Sequence, residues 1–577
     1  MSAEFEFVPY PFQSRSYDAS LPALAQGRDP VRRPVVVVGG GPVGYCTALG
    51  LANHGVPVVV LEADDSVCFG SRAICISRRS LEIVERLGAL PGFMQEGLPW
   101  TGGRSFYRDQ EVLHFLMPQD ANQKLPPMVN LAQYSIEQFL LNACEARSDL
   151  IEIRWQNKLV GVDSRDDGAQ LQVSTPKGDY AMDADWVVAA DGGRSFLREA
   201  LGLKLQGTSY EGRYVIVDIQ MESSRPTERL AYFDPDCNRG STVLVHKQPN
   251  NVWRIDYQLQ DGEDPDAAVL PENVMPRVRS LLAMMGETAP WNPIWTGIYK
   301  ANALTLPNYR HQRVLFAGDA AHLVPIFGVR GANSGIDDAD NLAWKLAHVV
   351  KGLAGEGLVD SYSAERVAAA HENLSYGTKS TEFMAPPSFA FELMRKAVLS
   401  LAIQHPELAS LINPRQTSAI TYGQSPLNAA QDDNALFAAG PVTGAPLAEC
   451  PVQWIKPGTP GVQAGYITDA AQPRFTVLAF APHGTVMQAL QGVAHGLHAK
   501  GVAAQVLPVQ MAALQEHGDL ETLVDADCKL AALYGAMPGA VYVLRPDGHV
   551  LGRWQGGRHE ADDLAASIHT AIGHALA

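Results

Sequence analysis

Gly39, Gly41 and Gly44, in the run Gly39-Gly40-Gly41-Pro42-Val43-Gly44, fit the spacing G-x-G-x-x-G. In that spacing one glycine turns the chain, the next admits a pyrophosphate against bare backbone, and the third lets strand and helix pack closely. The run stands between Val35-Val36-Val37-Val38 and an Ala/Leu-rich helical pattern ending at Gly55. A second β-branched run, Val58-Val59-Val60-Leu61, closes on Glu62, where an acid that binds ribose belongs. Two further clusters put carboxylates just after apolar strands: Asp191-Gly192 after Trp186 to Ala190, and Gly318-Asp319 after Val314 to Ala317. Open α/β sheets bind ligands at such strand ends. One cluster alone is weak, but the three in this order specify a dinucleotide site.

The elements that must position these motifs begin with the strand–helix–strand unit over 35–61. Segments 155–175 and 180–190 alternate as strands. Residues 213–222 and 241–260 also alternate and predict the antiparallel strands of a second, sheet-based domain. A helical pattern runs from about Asn333 to Gly352, and Gly440 to Pro446 marks a linker. The expected boundaries are an N-terminal extension over 1–33, surface-lying or disordered, and a dinucleotide domain from 34–205 and 305–400. A sheet domain follows over 206–304, then a helical segment and linker over 401–444, and a small α/β domain over 445–577.

At 577 residues the chain is long enough for about four domains by the usual ~150 residues each. Its formal charge of -17 argues against general nucleic-acid binding, while leaving room for a local basic pocket. None of the seven cysteines forms a C-x-x-C pair, so neither a metal site nor a dithiol centre is expected. The first thirty residues lack a basic start followed by an apolar run, and the uncharged stretch 34–61 is broken by glycines and prolines. A soluble, cytoplasmic protein without a membrane partner is the expectation.

The three motifs together resemble those of the class A flavoprotein aromatic hydroxylases, the group with the p-hydroxybenzoate hydroxylase fold. Further matches are Arg72-Ala73, Arg79-Ser80-Leu81-Glu82, Gln133-Tyr134-Ser135-Ile136-Glu137 and the long stretch from His322 to Lys345. The resemblance covers about 35–430 and is strongest to the 3-(3-hydroxyphenyl)propionate and phenol hydroxylase branch, whose members often end in a thioredoxin-like domain. It implies a Rossmann-like FAD domain interleaved with a mainly antiparallel substrate sheet. Over 445–577 it implies a thioredoxin-like domain without C-x-x-C.

By the same resemblance, FAD would meet Gly39, Gly41, Pro42, Val43 and Gly44 at its pyrophosphate and Glu62 and Ala63 at its ribose. Arg72, Ala73, Gln133, Gly318 and Asp319 would lie along the ribityl and phosphate portion. Pro325, Gly328, Gly331, Ala332 and Asn333 would meet the isoalloxazine, and Asp191-Gly192 would serve both FAD and NAD(P)H. The implied reaction uses NADH or NADPH and O2, passes through a C4a-hydroperoxyflavin, and hydroxylates a phenolic substrate. A polycyclic polyketide or antibiotic substrate, or a flavin-binding protein without hydroxylase activity, remains an alternative, and a homodimer is open. Candidates for contact with the substrate are His246, Arg254, Tyr257, Tyr232 and Tyr299, and Arg330, which either approaches flavin or pairs outward. Many relatives read Gly-Gly-Gln-Gly where this chain has Gly328-Val329-Arg330-Gly331. His322 reads as structural.

Overall fold

Four-residue runs of valine and leucine cannot alternate in and out, so the strands they form must be covered on both faces. Arg33–Val38 and Val58–Leu61 meet that requirement at the centre of a sheet of mostly parallel strands. Its order is Arg310–His311, Val314–Phe316, Tyr180–Ala189, Arg33–Val38, Val58–Leu61, Ile151–Arg154. The computed structural model describes residues 6–577 apart from Arg72, Asp261, Ile326, 413–417, 512–519 and the side chain of Glu211. Arg72, assigned to the cofactor above, therefore lies outside the described residues. Strands Lys158–Arg165 and Gly168–Ser174 extend this first sheet by pairing back onto Tyr180–Ala189.

The second sheet is largely antiparallel and carries the expected strands Gln206–Met221, Thr242–Lys247 and Val252–Gln258, joined by Arg229–Phe233 and Trp291–Thr305. It reaches beyond 206–304. Gly102–Tyr107 and Gln110–Leu116 complete one edge and His322–Leu323 the other, because their unpaired backbone groups find ladder partners there. One face packs on the helix Pro271–Met284 through Val217, Val245, Ile255 and Val278. The opposite face turns toward the FAD-type domain.

The N-terminal extension is not a loose tail over its described length. Val8 N–H bonds to Pro293 C=O, Tyr17 stacks on Trp155 with ring centroids 4.3 Å apart, and Tyr10 is buried. The segment straps the two sheets together.

Beyond the linker a seven-stranded sheet holds the parallel pair Phe475–Phe480 and Ala504–Gln510 joined by the helix Gly484–Ala499. An antiparallel hairpin, Val541–Leu544 with Val550–Trp554, and the helix Ala561–Leu576 follow. Polar groups fix this domain to the rest. Arg545 donates to Glu365 at 2.6 and 3.0 Å and pairs with Asp547, while Lys345 reaches Glu365 at 2.7 Å; all four side chains are fully buried. Trp344 Nε1 donates to Asp547 Oδ2 at 3.0 Å, and Arg79 to the Asp547 carbonyl at 3.0 Å. Among the described residues no helix is long and apolar enough to cross a membrane.

Removing one member of a buried ionic set strands its partners, typically at ~3–5 kcal/mol. Arg545→Met is expected to lower stability by about that amount in chemical unfolding. A loss under ~1 kcal/mol would show that the four charges are not coupled.

Candidate functional site

The glycine turn owes its shape to contacts that exclude side chains. Gly39 has φ +104°, and a Cβ there would stand 2.4 Å from Ala190 O; a Cβ on Gly44 would meet Gly39 O at 1.9 Å. Gly41 differs, since a Cβ there would meet nothing within 4 Å. The space beside it is open, at the start of the helix Pro42–Asn53, whose first amides have no intrahelical partner. That is a cradle for a pyrophosphate. Glu62 faces it, with Oε2 accepting from Gly40 N–H at 2.6 Å and Oε1 from Asp64 N–H at 2.8 Å. Burial pushes its carboxyl above the ordinary value, against the pull of these amides.

The other motifs converge on the same strand ends. Gly318, at φ +60°, packs on Val43, and so does Gly335; a Cβ on either would come within 2.8 and 2.6 Å of Val43 Cγ2. Asp319 is exposed beside the turn, and Ala63 is exposed after Glu62. Asp191 accepts from Leu197 N–H at 3.1 Å, and Gly192 takes φ +76°. Arg198 ties these two clusters by donating to Gly193 O at 2.6 Å and Ala320 O at 3.0 Å. Ala73 N–H reaches Gln133 Oε1 at 3.3 Å. Asn333 is spent on the backbone: its amide accepts from Ser77 N–H at 2.9 Å and donates to Cys75 O and Val329 O. This leaves the first amides of Gly331–Val350 as the groups able to meet a ligand there.

The segment leading into that helix is under strain. Gly328 has φ +99°, and Val329 φ +60°, a region β-branched residues avoid at a cost on the order of 1–3 kcal/mol. The Val329 side chain packs against Ile74, Cys75, Trp100, Phe115 and Met128, which offsets part of that cost. Pro325 packs on the backbone of Gly377. Arg330 turns toward the helix Gly357–Met384, where Nη1 donates to Asn373 Oδ1 at 2.8 Å and the guanidinium lies 5.0 Å from the Tyr376 ring centroid.

Below this segment lies the inner face of the second sheet. Strand register sets Arg229, His246, Arg254 and Asp218 side by side across four strands. Asp256 stands one step along, opposite Leu244 and Ile216. Tyr214 and Tyr299 pair further on, with Phe327 edge-on to Tyr214 at 5.5 Å. Arg254 is clamped by Asp218 at 2.9 and 2.8 Å, and Tyr10 donates to the same carboxylate at 2.6 Å. Burial, then Arg229 and Arg254, push His246 down to about 3, so the ring is neutral.

Tyr232 and Tyr257 fall on the other face, because successive strand residues point to opposite sides. Tyr232 stacks on Phe106, and Tyr257 sits beneath the Arg277 guanidinium. The site thus gathers His246, Arg254 and Tyr299 and separates those two tyrosines. Sequence reasoning missed Arg229, Asp256, Gln248 and Tyr10. Charged residues at inward positions of otherwise apolar strands were the available signal for Arg229 and Asp256.

Residues 32–376 match the family model described as an FAD binding domain. The chain belongs to that family and is a class A flavoprotein hydroxylase. The 3-(3-hydroxy-phenyl)propionate/3-hydroxycinnamic acid hydroxylase of Mycolicibacterium smegmatis is 28% identical over 410 residues, 70% of this chain and 72% of that protein. The 6-methylpretetramide 4-monooxygenase of Streptomyces rimosus is 29% identical over 551 residues, 90% of each chain. The structure of the flavin-dependent monooxygenase PieE superposes with a TM-score of 0.74 at 21% identity, over 94% of this chain and 100% of that one. The open space at Gly41 and the free helix-start amides fit FAD, the cofactor of the family.

Two glycine substitutions separate binding from folding. Gly41→Ala is expected to leave the melting temperature of the apoprotein within a few degrees but weaken FAD at least about tenfold, by flavin fluorescence titration. Gly44→Ala, which collides with backbone, is expected to lower stability outright. Equal FAD affinity in Gly41→Ala and wild type would remove the pyrophosphate from this turn.

Proposed function

We propose that the protein is an FAD-dependent monooxygenase that uses NAD(P)H and O2 to hydroxylate a phenolic aromatic compound, ortho to an existing hydroxyl. The observation that carries this reading is the inner face of the second sheet. Polar atoms of Arg229, His246, Gln248 and Tyr214 are buried there without a hydrogen-bond partner among the described residues, beside the segment that leads into the Gly331–Val350 helix. Buried polar groups are normally satisfied, so such a concentration marks the place of a polar ligand. Bound FAD supplies reduction by the nicotinamide and activation of O2.

The chain's own residues supply the surroundings. Gly39 to Gly44 and Glu62 would hold the two ends of the adenosine diphosphate, and Asp319, exposed after Gly318, would reach the ribityl chain. Phe327, Tyr214 and Tyr299 wall the ring site with apolar surface and exclude water. The name of the Mycolicibacterium relative supports a hydroxyphenyl acid as substrate. The Streptomyces relative, matched over 90% of the chain, favours a second reading in which the substrate is polycyclic. We also infer that 445–577 is thioredoxin-like, supported by its strand–helix–strand run, hairpin and terminal helix. Cys450 is buried there and the Cys528 thiol donates to Met511 O at 3.1 Å, which suits a structural role.

Purified protein is expected to carry a flavin absorbance and to oxidise NADH or NADPH faster when a phenol is added, with hydroxylated product identified by mass spectrometry. A screen of phenolic acids against polycyclic phenols decides between the two substrate readings. FAD-loaded protein that ignores every phenol, or yields only peroxide, would instead be a flavin-binding protein without hydroxylase activity.

A further inference from the structure

We propose that Asp256 takes the phenolic proton of the substrate and that Arg229 holds the oxyanion so formed. The inference rests on the phenol-hydroxylating reading above and assigns its acid–base work to two residues of the inner sheet face.

The assignment follows from which charged groups on that face are already engaged. Arg254 is held by both oxygens of Asp218, which also accepts from Tyr10. Arg229 differs: it is 3% exposed, and its Nε and Nη1 are buried without a partner among the described residues. No hydrogen bond or ion pair engages the Asp256 carboxylate among the described residues. The two lie on the same sheet face, on the strands that flank Thr242–Lys247 and offset by two residues, since Arg229 neighbours His246, and Leu244, two residues from His246, neighbours Asp256. A buried cation and a buried carboxylate, each lacking a direct partner among the described residues, suit a polar molecule that meets both.

A phenol satisfies that pair without creating net charge. Its O–H bond breaks, the proton forms an O–H bond on the Asp256 carboxylate, and the electron pair stays on the phenolic oxygen. The negative charge moves from Asp256 to that oxygen, where the Arg229 N–H groups donate to it. The cluster's total charge is unchanged, so the step avoids the cost of making a new buried ion. The resulting phenolate ring is richer in electrons at its ortho carbon, the position that accepts oxygen. His246 is neutral and offers only its unpartnered Nδ1, so it cannot replace the cation.

The proton acceptor is poised for this work near neutrality. Burial pushes the Asp256 carboxyl up, and Arg254 and Arg229 draw it down against the repulsion of Asp218, leaving it at about 7. Tyr299 and His246 also face the cluster; burial and Asp256 hold the Tyr299 hydroxyl protonated. The reactive form is the ionised one, so the rate must rise with pH through that value.

The test uses FAD-loaded wild type, Asp256→Asn and Arg229→Met, each checked for flavin content, with 3-(3-hydroxyphenyl)propionate and phenol as probes. Product formation is followed across a pH range centred near 7. Asp256→Asn is expected to keep its FAD and its KM within a few-fold, lose ~10²-fold or more in kcat, and lose the acid limb of the profile. Arg229→Met is expected to raise KM about tenfold or more. An Asp256→Asn variant with wild-type kcat and acid limb overturns the assignment and leaves the hydroxylase standing. FAD-loaded wild type that forms product from neither probe nor any polycyclic phenol of the screen overturns the assignment together with the phenol reading beneath it.

Discussion

Asp338 is the residue on which the arrangement of the FAD site depends. Fully buried in the Gly331–Val350 helix, its carboxylate accepts from Gly318 N–H at 2.9 Å, meets His322 Nε2 at 2.6 Å and receives Arg366 Nε at 2.6 Å. Burial by itself would raise its carboxyl, but His322 and Arg366 hold it below the ordinary carboxylate value. One ion thereby sets the Gly318-Asp319 turn against Val43 and fixes the start of a twenty-residue helix beside it. His322 braces this arrangement through Nε2, while its buried Nδ1 has no partner among the described residues.

From Asp338 the buried charges continue outward. Arg366 also reaches Ser334 and the Tyr422 hydroxyl, and Tyr422 lies tilted against His549 with ring centroids 4.6 Å apart. Next to it lie Glu365, Lys345, Arg545 and Asp547. The C-terminal domain is thus wired into the helices that carry the FAD motifs rather than appended to them. Buried ion pairs contribute little net stability against apolar alternatives, yet they discriminate sharply against misdocked arrangements that would leave a charge alone.

Much of this was legible in the residues. Valine runs dictated doubly covered strands, and the three glycine–acid clusters stand at the strand ends expected of them. The substrate half was less legible for a geometric reason. Strand alternation states that Arg254 and Tyr257 point to opposite faces but does not state which face meets the flavin. Tyr257 went to the helix Pro271–Met284 and Arg254 to the inner face, where Asp218 neutralises it. The N-terminal extension lies over the surface where it is described, but its Pro-rich composition hides one buried tyrosine that bonds a carboxylate 208 positions away.

The sequence by itself determined the cofactor half of this protein: the glycine turn, Glu62, the Asp-Gly and Gly-Asp ends, and the sheet-based partner domain. These are local features, each specified by the steric and electrostatic needs of a few consecutive residues. Only the tertiary structure decided which polar side chains are saturated and which remain unpartnered. Arg254 and Arg229 are both arginines on apolar strands, and nothing in their neighbours along the chain separates them. Asp218 opposite Arg254, with Tyr10 behind it, neutralises one, while Nε and Nη1 of the other have no partner among the described residues. That distinction is set by cross-strand register and a distant strap, and these exist only once the chain has folded.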